Sequence, residues 1–177
     1  MTEEIRIIPS SSIEGDLLSE VEKWVRHAFG DAVTLDKGVL QSCGEAYDPE
    51  RKQYSAQEFL DHAGIQAEDG MRVLCITDVD LYVPGLNYIF GLADEFRPVA
   101  LVSTARFKNG NGRATERTVK TAIHELGHTY GLQHCNDHRC VMFFSYTLSD
   151  TDYKGKHFCA HCRKALEKKL HTIKGEI

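Results

Sequence analysis

Residues 124–134 read HELGHTYGLQH, and their types and intervals are those of a metal centre that does chemistry. His124 and His128 stand four apart, so on a helix they share one face and both imidazoles reach a single ion. Glu125 is turned by about 100° from His124, because a helix has 3.6 residues per turn. It therefore flanks an ion and meets a bound water without being a ligand, which is where a general base belongs. Gly131 can take the left-handed conformation that ends a helix and turns the chain back, and this brings His134 round as a third ligand. Three neutral imidazoles leave the fourth tetrahedral position to water, the arrangement of a catalytic rather than a structural zinc. Imidazole also suits copper, nickel or iron, but no carboxylate ligand is present to complete the iron facial triad. Two histidines four apart occur by chance on solvated helix faces; a glycine and a third histidine at the required offsets make the longer pattern far more specific.

A second set of ligand types follows at once. Of the six cysteines, Cys135, Cys140, Cys159 and Cys162 crowd into the last quarter of the chain, while Cys43 and Cys75 stand alone and read as ordinary core residues. Four thiolates with a CxxC half form a closed tetrahedral site, so a structural zinc is expected there. A redox CxxC is the competing reading, but no thioredoxin-like strand–helix unit precedes Cys159. The neighbouring His138, His157 and His161 are read as solvated or supporting groups.

These residues need elements to hold them. Ala114 to Tyr130 has no helix breaker except Gly127, and Val119, Ile123, Leu126 and Tyr130 recur three or four apart, so the spacing predicts a helix that carries the histidines. The Asn109-Gly110-Asn111-Gly112 turn precedes it. Upstream, the pattern predicts a strand at Ile5–Ile8, a helix over Ile13–Phe29 stopped by Gly30, a strand from Ala32 to Leu40 and a short helix from Ser55 to Ala63. Apolar runs at Met71–Thr77, Tyr88–Ala93 and Val99–Thr104 add strands, giving a sheet of five, and Cys162–Leu170 reads as a basic amphipathic closing helix.

The chain has 177 residues, the size of one domain with a real core. With 21 basic against 26 acidic residues the net charge is −5, which favours no polyanionic partner. No apolar run has signal-peptide or membrane-spanning length. A cytoplasmic location, with thiols kept reduced, is expected.

Beyond the metal motif, His134 is followed directly by Cys135, then by Cys140 and Met142 and finally by the Cys159–Cys162 pair; this HELGHTYGLQHC pattern resembles the archaemetzincin family of the metzincin metallopeptidases. Asp80-Leu81-Tyr82-Val83-Pro84-Gly85-Leu86-Asn87-Tyr88-Ile89-Phe90-Gly91 and Val99–Ser103 look like family segments too, so the likeness covers most of residues 70–165. The resemblance implies an α+β, metzincin-like fold: a twisted mixed sheet with helices, an active-site helix flooring a cleft, and a small zinc-stapled C-terminal lobe. It makes Met142 the residue of a tight turn beneath the metal, and Val99, Ala100, Leu101, Val102 and Ser103 the edge strand that pairs with substrate. Some metzincins carry a metal-binding tyrosine two residues after that methionine; here the position is Phe144, with Tyr146 beyond it.

The expectation is therefore one metallopeptidase domain over 1–177, divided into an N-terminal lobe (1–134) and a C-terminal lobe (135–177). It should hold two zinc ions and hydrolyse peptide bonds, with Glu125 as base. The expected partners are peptide or protein substrates, with no nucleic acid and no membrane, and the chain should be a monomer. A zinc-ribbon interaction module, or a zinc-binding protein without activity, is the alternative.

Overall fold

The computed structural model describes residues 4–30, 32–36, 40, 44–64, 68, 70–108, 112–173 and 175. In chain order the first half gives β1 (Glu4–Pro9), α1 (Gly15–Phe29), β2 (Ala32–Leu35), β3 (Tyr47–Asp48), β4 (Gln53–Ser55), α2 (Ala56–Gly64) and β5 (Met71–Thr77). Then come β6 (Leu81–Tyr82), β7 (Gly91–Ala93), β8 (Val99–Ser103), α3 (Ala114–Thr129), α4 (Leu148–Tyr153) and α5 (Ala160–Ile173). Five strands form a sheet in the order β2-β1-β5-β8-β7, and β3, β4 and β6 form a small second sheet. All neighbours in the large sheet are parallel except β7, which returns antiparallel along β8. This is the mixed five-stranded α+β arrangement that the sequence led us to expect.

Every residue of β5 and of β8 is buried, because helices cover both faces of the sheet there. Successive side chains go to opposite faces. Leu74, Ile76, Ala100 and Val102 pack in the core that includes α1 and α3, whereas Val73, Cys75, Val99 and Leu101 pack with Phe59 and Leu60 of α2. Burial pushes the Cys75 thiol up to about 12, as befits a small core residue with no charged neighbour. Gly30, at φ +69°, ends α1 by donating its N–H to Arg26 O. α3 sets Val119, Ala122, Ile123 and Leu126 into the same core, and that packing fixes its rotation over the sheet.

The edge of the sheet differs from expectation. Val99–Ser103 is an inner strand, paired on one side with β5 and on the other with β7. Its main chain is occupied on both sides and its side chains are buried, so it offers no edge to a substrate. The segment after β6 folds back and covers it, leaving Gly91–Ala93 as the free edge. Within the Tyr88–Ala93 run only the last three residues join the large sheet, while Ile89 makes an isolated bridge to Leu81. The small sheet and α4 were not expected, since strands of two or three residues show too little alternation to read. Cys43 and the Asn109–Asn111 turn lie outside the described residues. Among those described, no helix is long and apolar enough to cross a membrane.

Buried charge fastens α4 to α3. The Arg117 guanidinium makes a two-pronged pair with Asp152 at 2.7 Å on each arm and also donates to Phe107 O. Lys120 donates to Thr151 O and Asp152 O at the end of α4. Asp152→Ala strands the Arg117 charge, which is 5 % exposed. It should destabilise the protein by about 3 kcal/mol, the lower end for breaking a buried pair; denaturant titration of the variant against the parent checks this.

Candidate metal centre and active site

On α3, His124 and His128 face the same way, with their Nε2 atoms 3.2 Å apart. A carbonyl can only accept, so His124 Nδ1 donates to Val141 O (2.8 Å) and His128 Nδ1 donates to Leu132 O (2.7 Å). In the neutral rings both Nε2 atoms are then bare acceptors turned toward each other, an arrangement suited to a cation between them. Burial holds the pKa of His124, His128 and His134 below the usual imidazole range, keeping all three neutral and able to ligate.

His134 arrives through a left-handed turn. Gly131 sits at φ +79° and donates its N–H to His128 O, and Leu132 N–H donates to Gly127 O. The His134 ring lies 5.3 Å from that of His124 and 4.8 Å from that of His128, and the three candidate ligand atoms fall within 4.8 Å of one another. Met142 is fully buried directly beneath: a Cβ at Gly127 would stand 2.6 Å from its sulfur. Cys135 N–H donates to Met142 O, which ties the chain carrying His134 to this turn. Phe144 sets its ring edge against His134 at 4.8 Å, and Tyr146 packs on Phe144 while remaining 76 % exposed.

Glu125 is buried beside the histidines. Burial pushes its carboxyl up to about 8, and the only charge opposing that rise is the Lys154 ammonium. Lys154 is itself buried, drawn down to about 8 by burial and held up by Glu125; it donates to Phe143 O at 3.0 Å and lies 3.4 Å from His124 Nδ1. Gly91, on the free edge strand, presses on Glu125: a Cβ there would stand 2.8 Å from Glu125 Cγ, 2.9 Å from Oε1 and 2.8 Å from Leu101 O. These groups line a cleft of about 500 Å³, walled by Leu86, Ile89 and Leu92 on the strand side and by Phe144 and Tyr146 after the Met142 turn.

The sulfur atoms of Cys135, Cys140, Cys159 and Cys162 also converge to within 4.8 Å of one another. Backbone N–H groups point at them, from Asp137 to Cys135 Sγ, from Cys159 to Cys140 Sγ and from Cys162 to Cys159 Sγ. Burial pushes the Cys140 thiol up to about 11, and Cys162 higher still. Four sulfur atoms this close could act together as thiolates only with a cation among them, and four soft sulfur donors at this spacing fit zinc.

Comparison with known proteins agrees with this geometry. A sequence model described as peptidase family M54 matches residues 20–168. The archaemetzincin of Pyrococcus furiosus is 36 % identical over 96 % of this chain and 95 % of its own length. That of Methanopyrus kandleri is 44 % identical over 87 % of this chain and 88 % of its own. The chain belongs to the archaemetzincin family. The crystal structure of the M. kandleri archaemetzincin superposes with a TM-score of 0.87 at 35 % identity, covering 96 % of each chain. A structure described as a zinc-dependent peptidase from Methanocorpusculum labreanum gives 0.84 at 27 % identity, over 92 % of this chain and 99 % of that one. As an archaemetzincin the protein is a metallopeptidase.

Set against this archaemetzincin's sequence, the structure brings His124, His128 and His134 together, gathers the four C-terminal cysteines and packs Met142 against Gly127 of the same helix. It moves the edge from Val99–Ser103 to Gly91–Ala93. Two residues at the site were not singled out from sequence. Lys154 lies 30 positions beyond His124, and no local pattern links the two. Gly91 falls within a run read as a strand, where a glycine marks a close approach; that was the available signal. Because Met142 sulfur fills the space over Gly127, Gly127→Ala should overpack the site and cost about 1–3 kcal/mol. Thermal denaturation and zinc titration should both register it.

Proposed function

We propose that this archaemetzincin hydrolyses peptide bonds with a zinc ion held by His124, His128 and His134, and that Cys135, Cys140, Cys159 and Cys162 hold a second, structural zinc. The observation that carries the reading is the convergence of three neutral imidazoles beside a buried carboxylate in an open cleft. Bound there, a zinc ion would supply a Lewis acid and would lower the pKa of a water to about 7. Glu125 takes the proton of the attacking water and passes it to the leaving amine. The Lys154 ammonium favours the ionised carboxylate that this base needs, and a divalent cation alongside acts in the same direction. Phe144 packs on the His134 ring, and Met142 packs on Gly127 between the two helical histidines.

Substrate is proposed to lie along the free edge Gly91–Ala93. In the antiparallel ladder Ser103 N–H donates to Phe90 O and Asp94 N–H to Val99 O. By alternation, Gly91 and Ala93 then turn their N–H and C=O groups outward, where an extended peptide can add as a further strand. The apolar walls favour hydrophobic side chains next to the cleaved bond. The reading takes the protein as a cytoplasmic monomer of one domain, with 1–134 and 135–177 as its lobes. The net charge of −5 supports the absence of a nucleic-acid partner.

Elemental analysis of protein produced with ample zinc should return two zinc ions per chain; one or none would sink the two-site reading. Glu125→Ala removes the base but no ligand. It should keep both ions while hydrolysis of a peptide found by library digestion falls by about 10²–10⁴, the range that positioned acid–base groups contribute. Full turnover with zinc retained would show that another group takes the proton.

A further inference from the structure

Among the described residues, Ser145 Oγ is the one buried side-chain polar atom that makes no hydrogen bond to any protein group. An unsatisfied buried hydroxyl costs about 1–3 kcal/mol, so its presence calls for a partner. The residue lines the catalytic cleft, between Phe144, whose ring touches His134, and the exposed Tyr146. Phe144 and Tyr146 flank it with their rings, and Leu86, Ile89 and Leu92 lie among the residues of the strand side. Nothing in the proposed chemistry uses it. The oxygen is covered as it stands, but no protein bond fixes its χ1 angle, so a rotation about that bond presents the hydroxyl to the cleft.

Resting on the peptidase reading above, we infer that Ser145 is a substrate-binding residue whose hydroxyl donates to a main-chain carbonyl of the bound peptide. A peptide brings a carbonyl with every residue, and a hydroxyl with no protein partner, set between Phe144 and Tyr146, fixes where along the cleft one of them stops. The edge Gly91–Ala93 offers repeating main-chain bonds that tolerate slippage; a single hydroxyl supplies the stop that sets register. The bond is made in the ground state and so affects binding more than turnover.

Ser145→Ala separates this role from a structural one, because the alanine breaks no protein bond. Its zinc content should be unchanged and its melting temperature equal to the parent's or higher. Towards a peptide that the parent cleaves in a mixed-sequence library digestion, kcat/KM should fall about three- to tenfold, mostly through KM, the size of one neutral hydrogen bond. A lower melting temperature, or an unchanged KM, overturns the inference. Affinity selection from the same library on immobilised, zinc-loaded parent and Ser145→Ala reads binding without turnover. Peptides kept by the parent should be kept at least about threefold less by the variant. Equal retention, or none by either protein, also overturns it, whereas retention without any hydrolysis by the parent counts against the peptidase reading alone.

Discussion

Two bare imidazole nitrogens facing each other at 3.2 Å is an arrangement that no protein group nearby rewards, and much of the local structure exists to hold it. Each ring's other nitrogen is committed to a main-chain carbonyl, Val141 O for His124 and Leu132 O for His128. Those carbonyls belong to the chain after α3, so the histidines are aimed correctly only when that chain is folded back over them. The contact of Met142 with Gly127 and the bond from Cys135 N–H to Met142 O keep it there. Farther out, Arg117, Lys120 and Lys154 tether α4 and its C-terminal end to the same helix and its surroundings.

Charge is used sparingly at this site. Glu125 and Lys154 are both buried, and each is the principal charge moderating the other. Both side chains are buried, so their interaction counts for more than it would on the surface. Leu86, Ile89, Leu92 and Phe144 make much of the remaining wall apolar, with Asp94, Glu95 and Gln133 among its polar groups. Gly91 joins the two functions, since the strand that is free to receive a peptide is in contact with the carboxylate.

The metal-binding constellation was legible because its signal is local: helix spacing gives His124, Glu125 and His128, and a glycine turn gives His134. The central strands were legible for a similar reason, since Met71–Thr77 is an apolar run bounded by turns and the structure returns the same bounds. What could not be read was pairing. Whether Val99–Ser103 or Gly91–Ala93 lies outermost depends on how the segment after Leu81 folds back, and both runs carry the same apolar character. Lys154 was invisible for a related reason, because its importance comes from a fold that places a lysine against a histidine 30 positions away. Ser145 differs again: its distinction is the lack of a partner, which only packing reveals.

His134 and Cys135 are consecutive residues, yet their side chains go to different clusters. In the proposed assignment a single peptide link thus joins two coordination polyhedra, and neither can be occupied without restricting the backbone torsions of the other's ligand. The first ion to bind pays part of the ordering entropy for the second, so the two affinities are thermodynamically linked and the coupling is reciprocal. Ordering one residue's backbone is worth about 1–2 kcal/mol, so in that assignment filling one centre would favour the other by a modest factor. Inserting a residue at this junction would part the two centres while leaving every candidate ligand in the chain.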